Sequence, residues 1–175
     1  MLIDLSGILA REGEQKTFSI YPEGDNFSCQ LGSYAYAEKN PVELTITHTE
    51  NQVVTLEGQG EISIWIPCGR CLEPVKVPFT ISIDAEADIK SGTFREGGET
   101  DDDSCISGRQ LDTEQLLHNE ILIQWPIRVL CKEDCKGICS CCGKNLNKGT
   151  CDCDTAELDP RMAVISDIFK NFKEV

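Results

Sequence analysis

A chain of 175 residues, 40% of them apolar, suits one domain, or one domain with a small appendage, and can build a core without crosslinks. Its formal charge of −14, from 30 acidic and 16 basic residues, serves solubility and repels phosphate backbones. Free-standing nucleic-acid binding is therefore disfavoured, and a basic protein is the partner class that matches.

The opening MLIDLSGILAREG has no basic leader, and no later apolar run approaches membrane-spanning length. A cytoplasmic location is the expectation. Thiols stay reduced in that compartment, and an odd count of eleven cysteines cannot pair completely, so metal binding is favoured over disulfides.

Apolar and polar residues alternate over 42–48 (VELTITH), over 62–66 (ISIWI) and most clearly over 75–89. In that last stretch Val75, Val77, Phe79, Ile81, Ile83, Ala85, Ala87 and Ile89 share one parity, while Lys76, Thr80, Ser82, Asp84, Glu86 and Asp88 take the other. A two-residue period of this length predicts a long strand with one wet face. Pro78, which lacks an N–H, places it at a sheet edge or a bulge. From about Glu86 to Arg109 the glycines and the run Asp101–Asp103 predict a mobile acidic loop, centred on about 90–109. A helix follows, with Asp112 and Gln115 as a capping box and Leu117, Ile121 and Trp125 on one face, ended by Pro126. Trp125 is expected as a core anchor. Near the C-terminus Asp159 and Pro160 begin a second helix with Val164, Ile168 and Phe172 on its apolar face. The expected fold is α+β: mainly antiparallel β sheet or a small barrel in the first half, then a helix, a cysteine-rich zinc knuckle and a C-terminal helix. The expected organisation is a β-rich domain over residues 1–130 and an appendage over 131–175, packed on the same domain.

Seven cysteines and no histidine occupy CKEDCKGICSCCGKNLNKGTCDC, residues 131–153. A structural zinc site takes four soft ligands, usually as two short pairs. Cys139-x2-Cys142 is followed by Gly143, whose positive φ would turn backbone N–H groups toward sulfur, and Cys151-x-Cys153 returns after a short turn-prone linker. These four form the first predicted site. Cys68 and Cys71 fall between two strands, at a hairpin tip bounded by Pro67 and Pro74, and are half of a tetrahedron. Cys131 and Cys135 are the available other half, giving a second site that would close a long loop. Cys141 competes with Cys142, which Gly143 favours. Cys29 is expected as a small buried hydrophobe, and Cys105 falls in the acidic loop. A dithiol redox switch is the alternative use of the CxxC pairs, but it leaves Cys151 and Cys153 unexplained.

No catalytic constellation stands out. His48 on a strand and His118 on the helix surface have no paired nucleophile, and phosphate-cradling glycine loops and HExxH are absent from the sequence. All-cysteine zinc sites would lack the open position that catalysis needs, so a non-enzyme is expected. Lys132, Lys136, Lys144 and Lys148 make a small basic island over 131–153, and with Arg70 at the hairpin tip they are the candidate RNA or partner contacts.

CGRCLEP at 68–74, the helix running into NEILIQWPI, then CKEDCKGICSCCGKNLN, the trailing CDC and DPRMAVI resemble the YceD family, the large ribosomal RNA subunit accumulation proteins. The resemblance covers roughly residues 60–175. It departs at Ser140, where relatives read CPxCG, and no ligand is lost by that change. The resemblance implies a bacterial, cytosolic, non-enzymatic factor needed for normal levels of large-subunit ribosomal RNA. Its gene is expected beside that of a small, basic large-subunit ribosomal protein. Relatives that lack most of the C-terminal cysteines imply that the zinc, one ion or two, is structural. With the acidic charge, the implied partner is a basic large-subunit ribosomal protein or a pre-ribosomal particle. Direct RNA binding and thiol or zinc sensing are the alternatives.

Overall fold

The computed structural model describes residues 1–94 and 105–153, and its strands follow the two-residue alternation of the sequence. In chain order the elements are β1 (Leu2–Asp4), β2 (Gln15–Ile20), β3 (Asn26–Cys29), β4 (Gly32–Lys39), β5 (Val42–His48), β6 (Val53–Pro67), β7 (Pro74–Asp88), β8 (Thr93–Phe94), β9 (Ile106–Ser107), β10 (Gln110–Asp112) and α1 (Thr113–Ile123). They belong to one of two compact units, which joins Met1–Pro67 to Pro74–Val129. The other joins Cys68–Glu73 to Leu130–Val175. No helix among the described residues is long and apolar enough to cross a membrane. The expected C-terminal helix and the acidic run at 101–103 lie outside the described residues.

The long hairpin β6–β7 organises the first unit. Its strands pair without a register shift from Val53 opposite Asp88 to Pro67 opposite Pro74. One face of each strand is dry: Leu56, Ile62, Ile64 and Ile66 of β6, and Phe79, Ile81, Ile83 and Ala87 of β7, are buried. The other edge of β6 is shared by two strands in succession, β5 along Val54–Gln59 and β4 along Ile62–Ile64. The handover happens beside Gly60, where a Cβ would stand 2.6 Å from Val42 Cγ2 and 2.9 Å from Val42 Cα. Only glycine lets the two backbones approach this closely. A two-residue turn joins β5 to β6, with φ of 51° at Asn51 and 65° at Gln52, the positive pair that matches strand twist in tight hairpins. β2 pairs with β5 and β3 with β4, completing a seven-stranded open antiparallel sheet. Among the described strands no pairing closes it, so the architecture is the sheet rather than the barrel. β7 is an edge strand over Pro78, which pairs with Ser63 without a bulge.

The stretch expected as an acidic loop is partly structured. β8 pairs with the end of β7, while β9 and β10 join β1 in a second, three-stranded sheet. The loss of alternation hid these strands because each is two or three residues long. Cys105, placed by its position in the loop stretch, is buried in the core and accepts from Asn119 Nδ2 at 3.5 Å.

Asp112 caps α1: its Oδ1 accepts from the N–H groups of Glu114 (2.9 Å) and Gln115 (3.4 Å). The reciprocal half of the capping box is not formed. Gln115 donates instead to Asn119 Oδ1, and the Asp112 N–H goes to the Cys105 carbonyl. Leu116, Leu117 and Ile121 bury the inner face. The helix ends at Ile123, so Trp125 lies beyond it, pushed from helical backbone by the proline that follows. Trp125 still anchors the core, with ring centroids 5.2 Å from Phe27, 5.0 Å from Tyr34 and 5.7 Å from Phe79. His118 is half-buried. It stacks on Phe27 at 4.8 Å, because the strand residue Phe27 turns toward the helix. His48 is buried, its Nδ1 donating to the Arg11 carbonyl at 2.9 Å.

Candidate metal centres

Two loops of the second unit repeat one design. At the hairpin tip the N–H of Cys68 donates to the Glu73 carbonyl (2.8 Å), and the N–H of Leu72 donates to the Cys68 carbonyl (3.0 Å). In the later loop the N–H of Cys139 donates to Lys144 O (2.9 Å), and that of Gly143 to Cys139 O (2.9 Å). Both turns throw the residue after the second cysteine into the left-handed region, Leu72 at φ 62° and Gly143 at φ 71°. Glycine adopts that conformation freely, whereas leucine pays roughly 1–2 kcal/mol for it.

Each loop presents two thiols to a second pair. Cys68, Cys71, Cys131 and Cys135 form one cluster, and Cys139, Cys142, Cys151 and Cys153 form the other, with all four sulfurs of each lying within 4.8 Å of one another. In the first cluster Cys68 Sγ is 3.8 Å from Cys135 Sγ, and Cys71 Sγ is 3.5 Å from Cys131 Sγ. Such distances exclude a disulfide, whose sulfurs stand ~2.05 Å apart. They match the ~3.8 Å edge of a tetrahedron with ~2.3 Å metal–sulfur arms. Either cluster can hold a metal ion, and all-thiolate tetrahedra suit zinc or iron. Cys142, not its neighbour Cys141, belongs to the second cluster. Cys29 is half-buried against the core.

Backbone donors and crowding act against each other on the sulfurs. Donation from the N–H of Cys71, aided by those of Arg70 and Cys131, lowers the Cys68 thiol to about 6. Donation from Cys142 N–H and then Cys141 N–H lowers Cys139 to about 6. Desolvation, followed by the neighbouring sulfurs, pushes Cys131 up to about 12, and in the other cluster the Cys142 sulfur and then desolvation push Cys153 to about 12. Against desolvation, hydrogen bonds led by that from Asn147 hold Cys135 below its ordinary value as well, so each cluster favours some of its thiolates and opposes the others. A bound cation reverses that balance by supplying the positive charge.

The residues between the cysteines brace the loops. Arg70 donates through one guanidinium nitrogen to the carbonyls of Cys135 (2.8 Å) and Glu133 (3.3 Å). Gly137, at φ 78°, passes so close that a Cβ there would stand 3.1 Å from the Arg70 carbonyl. Asn147 was not singled out by spacing, yet its Nδ2 donates to Cys135 Sγ (3.2 Å) and its Oδ1 accepts the Lys136 N–H (2.9 Å). The turn-prone run NLNKG contains it, but no sequence rule links that asparagine to a cysteine twelve residues earlier.

The basic island is largely engaged within the unit. Lys148 pairs with Glu73, Lys132 lies 3.8 Å from Asp134, and Lys144 Nζ donates to the Thr150 carbonyl. Lys136 is exposed.

The YceD family, described as "Large ribosomal RNA subunit accumulation protein YceD", matches residues 56–169. A relative from Arabidopsis thaliana, named large ribosomal RNA subunit accumulation protein YCED homolog 1, chloroplastic, is 35% identical over 51 residues. That alignment covers 29% of this chain and 16% of the relative, so the chain spans a small part of that protein's length. No solved structure matches. The family match opens within β6 and takes in the hairpin tip, α1 and both four-cysteine clusters, and over so much of its length this chain belongs to the YceD family of large ribosomal RNA subunit accumulation proteins.

Proposed function

We propose that this chain is a non-enzymatic cytoplasmic factor that supports accumulation of large-subunit ribosomal RNA by receiving a basic ribosomal protein, its two cysteine clusters each holding a structural zinc ion. Family membership supports the ribosomal role, and the observation that carries the protein partner is charge. On the wet face of the first unit's sheet, Glu43 of β5, Glu57 and Glu61 of β6, and Asp84 and Glu86 of β7 stand among threonines, serines and glutamine. Over positions 43–47, 55–61 and 80–86 that face has no lysine or arginine. Glu57 lies directly opposite Asp84, an unfavourable juxtaposition that a cationic partner relieves.

Zinc would extend the same sign to the second unit. Its described residues carry five basic and four acidic side chains. Two divalent ions on eight thiolates add about −4, leaving those residues at about −3 rather than about +1. The lysine island is then no phosphate-binding surface, which weighs against direct RNA binding. Zinc bound by four thiolates has no open coordination position, and it supplies crosslinking rather than chemistry.

The test is capture by the full-length, metal-loaded chain at moderate salt, from a mixture of naked large-subunit ribosomal RNA fragments and purified large-subunit ribosomal proteins. Recovery of a basic protein, weakened steeply by added salt, is expected. Recovery of RNA with no basic protein would overturn the reading.

A further inference from the structure

The outer edge of β7 is guarded everywhere except near its centre. Antiparallel pairing turns the backbone groups of alternate residues toward the neighbouring strand and away from it. Ile89, which continues β7, donates its N–H to the Gln52 carbonyl (3.0 Å), while Pro78, with no N–H to donate, pairs with Ser63 in unbroken register. Odd-numbered residues of β7 therefore bond to β6, and even-numbered ones direct their N–H and C=O groups outward. Sheets blunt such edges with lysine, proline or a covering group. Here Pro74, Lys76 and Pro78 hold the outward positions of the first half, and Gln124 Nε2 donates to the Thr80 carbonyl at 2.8 Å. At the other end β8 pairs with Ala87 and Asp88. Between these guards the outward N–H and C=O groups of Ser82 and Asp84 meet no partner among the described residues, and both residues are exposed.

The geometry points to strand addition at this gap: an extended basic segment of a protein partner pairs with β7 through Ser82 and Asp84. The inference rests on the proposed reception of a basic protein and specifies its contact. Four unpaired backbone groups fit about five residues of extended chain, whose alternate side chains fall on the wet face beside Ser82 and Asp84. That face is acidic without any metal. Glu57 stands opposite Asp84, and Glu43, Glu57, Glu61 and Asp84 have no ion-pair partner among the described residues. The described residues of the first unit carry 16 acidic side chains against seven basic ones, so the field there favours lysine or arginine on the incoming segment. Its other side lies beside half-buried Ala85, which suits apolar residues at the intervening positions. A second copy of this chain fits worse, since its own β7 would bring Asp84 up to like charge. RNA offers phosphate in place of a peptide backbone, and the same field repels it.

The experiment offers the full-length, metal-loaded chain the basic proteins stripped by high salt from purified large ribosomal subunits, and follows amide exchange residue by residue in the free and the loaded chain. In the free chain the Ser82 and Asp84 amides are expected to exchange fast and those of Ile81 and Ile83, bonded to β6, slowly. Loading is expected to slow the Ser82 and Asp84 amides by about tenfold or more. Ser82→Pro removes one outward N–H and spares the β6 ladder, as Pro78 does, and is expected to lower capture about tenfold. Amides at 82 and 84 that stay fast in the loaded chain, or are already slow in the free one, overturn strand addition. If Glu57→Lys/Asp84→Lys loses capture in that case, the basic-partner reading survives without it. Undiminished capture by Ser82→Pro also overturns strand addition; should that variant melt below wild type, the exchange result on wild type decides. Protection at 82 and 84 that grows with the concentration of the chain alone, with a doubled mass, makes a second copy the occupant and overturns it too. Failure of wild type to capture any basic protein overturns both readings.

Discussion

At the scale of single residues, membership of a cluster is decided by where a sulfur points, and neighbours in sequence take different fates. Cys142 stands in the second four-cysteine group and Cys141 beside it does not. Cys142→Ser is therefore expected to remove one metal ion per chain, and Cys141→Ser to remove none, read by native mass spectrometry of protein purified without chelator. Loss of metal from Cys141→Ser would contradict the geometry. Spacing and Gly143 pointed to Cys142 from sequence alone, because a glycine after the second thiol marks the left-handed turn. Asn147 and Leu72 were invisible to that logic. One acts across twelve residues through a side-chain hydrogen bond to Cys135, and the other declares itself only through its φ angle.

Among the elements, β6 sets the terms, since it is paired along both edges and carries the alternate contacts that the core needs. Gly60 marks the place where β5 gives way to β4 beside it. Gly60→Ala forces a methyl against the Val42 backbone, so a loss of about 1–3 kcal/mol is expected in urea unfolding at unchanged m-value. Trp125 fixes the end of α1 to the sheet through three aromatic neighbours, and Trp125→Ala is expected to cost about 3 kcal/mol in the same measurement, the lower end for such truncations because the residue is only half-buried. Helical spacing identified Trp125 as an anchor yet assigned it to the helix. A period of four cannot tell the last turn from the extended residue that Pro126 imposes. The short strands β8, β9 and β10 escaped for a related reason: two or three residues are too few to display a period, and their pairing is made by tertiary contact.

For the molecule as a whole, the two units rest on different forces. The first has a continuous apolar core to which none of the eight clustered cysteines contributes. The described part of the second has few apolar residues, and apart from Gly137 its buried positions are the cysteines Cys68, Cys71, Cys135 and Cys139. Chelation under reducing conditions is accordingly expected to abolish amide protection over residues 130–153 while β5, β6 and β7 keep theirs, read by hydrogen exchange with mass spectrometry. Retained protection in both units would mean that metal is dispensable to the fold. The sequence by itself determined the strand faces, the capped helix, the acidic charge and the local group Cys139, Cys142, Cys151 and Cys153. Alternation, capping chemistry and ligand spacing are local rules, and each is written within a few residues. Only the tertiary structure decided that Cys68 and Cys71 meet Cys131 and Cys135 across some sixty positions, that the described strands pair as an open sheet, and that a leucine occupies the turn where a glycine would be relaxed. Those outcomes depend on closing long loops and on backbone angles, which no pattern of neighbouring side chains encodes.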